Sequence, residues 1–143
     1  MTPCAIRIAR IKHENMHNAN GLQRMMLMNN PIALVLAPTR ELAIQIYNAS
    51  KLMTLMGRLK MAVVYGGADR FGQIRQLNAG VDILVATPGR LLDFIRSGNV
   101  NIGMVKFFVL DEADRMLVRL IRIQENIAPF VAPEVYFCSG DEI

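Results

Sequence analysis

The chain has 143 residues, a formal net charge of +4 and a hydrophobic fraction of 52%, with a pI near 9.4. That length suits one domain and allows an independent core, burying roughly 68–70% of the unfolded surface; so apolar a composition excludes a disordered tail. Its longest apolar runs, such as Ile32–Pro38 and Phe107–Leu110, fall far short of the ~20 residues a helical membrane span requires.

A mild basic balance favours an acidic partner such as nucleic acid. No dense Lys/Arg block is present, so any polyanion contact must come from individually placed residues. Cys4 and Cys138 lie far apart, without CxxC spacing or a nearby His pair. This argues against a disulfide framework or zinc site and fits a reducing, intracellular setting, cytoplasm or nucleus.

Residues 1–30 read as an irregular leader. Arg7, Arg10 and Lys12 interleave with Ile6, Ile8 and Ile11, and Glu14 is the lone acid, a faint likeness to an organelle transit peptide. From Pro31 to Ile143 short apolar runs alternate with amphipathic stretches. The predicted strands are Ile32–Leu36, Met61–Tyr65, Ile83–Ala86, Phe107–Leu110 and Val135–Cys138. Several are continuous apolar runs, as expected of strands buried on both faces of a parallel sheet. The predicted helices are Arg40–Met56, Phe71–Asn78, Gly89–Arg96 and Glu112–Ile127. In the first, Leu42, Ile46, Ala49, Leu52, Met53 and Met56 recur at helical spacing as one apolar stripe. Alternating strands and helices predict an α/β fold with a parallel sheet.

In such a sheet ligands bind beyond the carboxyl ends of the strands. There the sequence delivers Pro38-Thr39-Arg40-Glu41, Gly66-Gly67, Thr87-Pro88-Gly89-Arg90 and Asp111-Glu112-Ala113-Asp114. Singly, each has a structural explanation: Thr39 and Asp111 as helix caps, Pro38 and Pro88 at helix entry or turns, the acids beside a helix N-terminus. Together they make a sheet edge with Thr and Arg side chains suited to phosphate oxygens. The glycines permit close backbone approach, and the adjacent carboxylates suit Mg²⁺ and its waters.

APTRELA (Ala37–Ala43), Gly66-Gly67, TPGRL (Thr87–Leu91) and VLDEADRML (Val109–Leu117) resemble, in order and spacing, motifs Ia, GG, Ib and II of DEAD-box RNA helicases. The resemblance spans about Pro31 to Leu117. It implies an incomplete RecA-like domain of the P-loop NTPase type, with helices on both faces of the sheet, and a parent protein that unwinds RNA with ATP and Mg²⁺. It implies that Pro38, Thr39 and Arg40 contact the backbone of single-stranded RNA, with Glu41 supporting their loop. Gly66 and Gly67 would approach the RNA closely, and Thr87, Pro88, Gly89 and Arg90 would continue the track. Asp111 would hold Mg²⁺ through water, Glu112 would position or activate the attacking water, and Asp114 would link the nucleotide site to motif III. Recognition of backbone makes binding salt-sensitive and sequence-tolerant, with no DNA sequence specificity and no membrane partner.

The pattern also breaks. The family's adenine-reading Q motif and AxTGxGKT loop have no counterpart here, and the G-x-x-x-x-G at Gly67–Gly72 leads into Gln73 and Ile74 rather than Lys and Ser or Thr. Ser139-Gly140-Asp141 stands where Ser-Ala-Thr is expected, and a second RecA-like domain is missing. Without a P-loop, Asp111 and Glu112 are expected to make only a weak Mg²⁺ site. The expectation is therefore a truncated helicase ATP-binding domain, inactive alone. The alternatives are a non-catalytic single-stranded RNA-binding module and a non-functional truncated gene product.

Overall fold

A computed structural model of the chain describes residues 3–23, 30–111 and 134–138. In chain order the elements are helix α1 (Pro3–Asn18), strand β1 (Ala33–Leu36), helix α2 (Arg40–Met56), strand β2 (Met61–Val64), helix α3 (Arg70–Asn78), strand β3 (Ile83–Ala86), helix α4 (Pro88–Arg96), and strands β4 (Phe107–Asp111) and β5 (Glu134–Cys138). The predicted helix Glu112–Ile127 lies outside the described residues. The five strands form one sheet in the order β2-β3-β1-β4-β5, and every neighbouring pair is parallel.

Side-chain alternation along the strands sorts the core into two layers. Leu34, Leu36, Ala62, Val64, Leu84, Ala86, Phe108 and Leu110 pack with Leu77 of α3 and with Leu91 and Phe94 of α4. On the opposite face Ala33, Ile83 and Phe107 meet Ile8 of α1, while Val35, Val63 and Val85 meet Ala43 and Ile46 of α2. Helices therefore cover both faces, as the continuous apolar runs predict. The chain moves one way along the sheet from β1 to β2 and the other way from β2 through β3 to β4. Crossovers of one constant hand then require α2 on one face and α3 and α4 on the other, as observed.

Two details depart from expectation. The stretch expected as an irregular leader contains α1, which is tied to the sheet: Ile8 is buried, the Arg7 guanidinium lies over the Phe107 ring, and Lys12 Nζ donates to Asp82 Oδ2 at 2.8 Å. The α2 stripe is buried only in its first half. Leu42 and Ile46 pack on the sheet, whereas Ala49 is exposed and Leu52 and Met56 are 69% and 71% exposed. A different line of the helix faces inward there: Thr54 is 5% exposed, between exposed Leu52 and Met56.

Among the described residues no helix is long and apolar enough to cross a membrane.

Candidate nucleic-acid interface

The strands end level with one another. Leu36 pairs with Ala86 and with Leu110, and Ala86 pairs with Val64. Backbone bonds extend the ladder just past the strands, with Ala37 N donating to Ala86 O at 3.0 Å and Thr87 N to Val64 O at 3.0 Å. The segments 37–40, 65–67 and 87–90 therefore leave the sheet side by side. Because α2 and α4 cover opposite faces, the chain leaves the adjacent strands β1 and β3 toward opposite sides of the sheet, which makes this edge a topological switch point.

Each segment is shaped by local rules. Thr39 Oγ1 accepts from Leu42 N at 3.2 Å and caps α2, leaving Thr39, Arg40 and Glu41 exposed. Pro88 is buried at the first position of α4, where its missing N–H costs nothing; it fixes the turn, and exposed Gly89 beside it faces open space. At Gly67 φ is +79°, a conformation that favours glycine. Gly66, also exposed, has nothing within 4 Å of where a Cβ would stand.

Side chains then tie these segments together. The Arg40 guanidinium lies 5.1 Å from the centre of the Tyr65 ring, within cation–π range. Tyr65 N donates to Gln73 Oε1 at 3.3 Å, and Gln73 Nε2 donates to Tyr65 O at 3.0 Å. Arg90 lies 5.5 Å over the Phe94 ring and reaches Gln73 Oε1 at 3.5 Å and Ala68 O at 3.4 Å, both long contacts. Three strand ends thus share one chain of contacts, from Arg40 through Tyr65 and Gln73 to Arg90. Sequence reading picked out Arg40, Gly66, Gly67 and Arg90 but missed Tyr65 and Gln73. Tyr65 was assigned to strand β2, and a single Gln inside a helix carries no pattern that marks it.

The G-x-x-x-x-G stretch Gly67–Gly72 is not a phosphate loop. Gly67 lies in the turn, Gly72 lies in α3, and the Asp69 side chain caps that helix by accepting from Phe71 N and Gly72 N, each at 3.1 Å. A carboxylate already occupies the amides that a phosphate would use.

Asp111 is the last residue of β4, pairing in the ladder with Cys138 of β5. Glu112 and Asp114 lie outside the described residues, as does Ser139-Gly140-Asp141. Among the described residues no group of three or more His, Cys, Asp or Glu is placed to hold a metal ion.

A family model for the DEAD/DEAH box helicase matches residues 9–139, beginning inside α1 and ahead of Pro31. The chain superposes on the yeast DEAD-box splicing factor Prp28 with a TM-score of 0.68 at 28% identity, over 81% of this chain and 31% of that one. It superposes on a DEAD box protein from the hyperthermophile Methanococcus jannaschii with a TM-score of 0.62 at 38% identity, over 85% of this chain and 35% of that one. The chain thus spans about a third of the length of these two solved structures. Its sheet order, the level row of motif-bearing strand ends and the match over most of its length lead to one conclusion: the chain belongs to the DEAD/DEAH box helicase family.

Proposed function

We propose that the carboxyl edge of the sheet is a track for the backbone of single-stranded RNA, within the first RecA-like domain of an ATP-dependent RNA helicase. The observation that carries this reading is the row of three linked strand ends. Thr39, exposed Arg40 and Arg90 supply hydrogen-bond donors, and Gly66, Gly67 and Gly89 leave the backbone open between them. Such a surface recognises phosphate and sugar and leaves base identity unread. Pro38 and Thr87 shape the loops after β1 and β3, and Glu41 lies in the first turn of α2.

In a DEAD-box protein ATP and Mg²⁺ supply the phosphoryl-transfer chemistry. We assign Asp111 and Glu112 to holding that ion and Asp114 to relaying its state, as the motif implies. For the 143-residue polypeptide by itself we propose no ATP turnover. Phosphoryl transfer depends on positioning by a phosphate loop, and at Gly67–Gly72 the helix amides are already occupied by Asp69.

The test is fluorescence anisotropy with a labelled single-stranded RNA over a salt series. Log affinity should fall with log salt, at a slope reduced by about 0.7 in each of Arg40→Ala and Arg90→Ala. Slopes equal to that of the parent chain would remove both residues from the track. Titration of a fluorescent ATP analogue with Mg²⁺, using Asp111→Ala as control, checks the nucleotide side. No saturable binding is expected; binding abolished by Asp111→Ala would overturn the proposed inactivity.

A further inference from the structure

We propose that Gln73 is a positioning residue that grips the Tyr65–Gly67 turn and joins it to Arg90, so that neighbouring strand ends meet RNA as one body. The proposal rests on the reading of this edge as an RNA track. Its physical basis begins with the edge strand β2. Val64 O faces inward and accepts from Thr87 N. Successive residues of a strand direct their backbone groups to opposite sides, so Tyr65 turns its N–H and C=O away from β3, where the sheet has no further strand among the described residues. Gln73, 8% exposed on α3, meets both groups: its Nε2 donates to Tyr65 O at 3.0 Å and its Oε1 accepts from Tyr65 N at 3.3 Å.

A primary amide is the side chain that fits. It offers a donor and an acceptor on one planar group and so stands in for the backbone of a neighbouring strand. An ionised carboxylate would set an acceptor against Tyr65 O, and a thioether would leave both Tyr65 groups unpaired.

The same Oε1 also lies 3.5 Å from Arg90 Nη1, while Arg90 Nη2 reaches Ala68 O at 3.4 Å. Arg90, in the first turn of α4, is thereby set against Gln73 of α3 and against Ala68, the residue after the turn. On the other side, Tyr65 carries Arg40 over its ring. Gly67, at φ +79°, supplies the bend between them; alone, a glycine turn is conformationally loose. The buried amide removes that looseness where RNA would bind.

The experiment compares the parent chain with Gln73→Met, Arg90→Ala and the double variant. Gln73→Met keeps side-chain length and loses both hydrogen bonds. Amide hydrogen exchange of Tyr65, relative to Leu84 in the core of the sheet, reports the grip independently of RNA and of global unfolding. Gln73→Met should raise that relative exchange about tenfold and weaken RNA binding by up to about tenfold, the equivalent of one hydrogen bond. The double variant should bind only slightly less well than Arg90→Ala alone, because both changes break one linkage. Unchanged relative exchange at Tyr65 would overturn the grip, and losses that multiply in the double variant would overturn the coupling to Arg90. If the parent chain binds no RNA, the track itself fails and Gln73 positions nothing for RNA; the Tyr65 exchange ratio then still decides whether it holds the turn.

Discussion

Asp82 precedes β3 and is 8% exposed. Its Oδ2 accepts from Lys12 Nζ at 2.8 Å and from Lys60 N at 2.7 Å, so one carboxylate fastens α1 to the amino edge of the sheet and organises the entry to β2. Asp82→Ala takes the acceptor from a part-buried amide and one of two acceptors from Lys12, which keeps Arg58 O, and should cost about 1–2 kcal/mol, read as a lower urea midpoint. The sequence does not reveal this residue, because Lys12 lies 70 positions away and an Asp before an apolar run reads as an ordinary loop acid. Gln73 is hidden in the same way. Thr39 was legible, since a cap is a local device between a residue and the amide three positions on. Residues whose partners are near in sequence could be read; those whose partners are brought in by the sheet could not.

At the scale of elements, α3 and α4 are joined by an exposed link: Arg70 Nε donates to Asp93 Oδ2 at 3.1 Å, and Arg70 Nη2 to Ser97 Oγ at 3.2 Å. The hydrogen bond from Arg70 holds the Asp93 carboxyl below its ordinary value, with the Arg70 and Arg90 charges acting in the same direction. The sign follows from linkage: the contribution is complete above the ordinary carboxylate range of about 4 and is lost as pH falls through the lowered folded value. The unfolding midpoint of Asp93→Asn should therefore lie slightly below that of the parent chain at pH 7, and the gap should close on the acid side. A gap that stays constant as pH falls through the lowered folded value would show that the charge is not its source; the effect is small because exposed ion pairs are screened. Element positions were largely legible, since strands and helices differ in apolar period, and the start of α2 at Arg40 falls where it was expected. Helix α1 was missed because few of its apolar residues are buried: Ile8 packs against the sheet while Ile6 is 48% exposed. The inward turn of Thr54 was missed because a threonine among larger apolar residues does not mark the buried line.

For the whole molecule, β3 is the strand on which the sheet depends. All four of its residues are buried, and it pairs with both β1 and β2. Leu84, fully buried, packs between the helices of one layer and the neighbouring strands. Leu84→Ala should cost about 2–5 kcal/mol, measured by chemical denaturation. A loss below 1 kcal/mol would mean that the layer collapses around the cavity. The parallel α/β class was legible from the apolar runs. The order β2-β3-β1-β4-β5 was not, because it is set by which strands meet in space. Level strand ends have one more consequence. The step from one contact loop to the next equals the spacing between hydrogen-bonded strands, about 4.8 Å, and the sheet's twist turns each step by about 20°. The sheet is therefore a ruler whose graduations are set by peptide geometry. Substitutions in the loops can change how firmly each graduation holds a polymer, but not the pitch or the curve along which it is led.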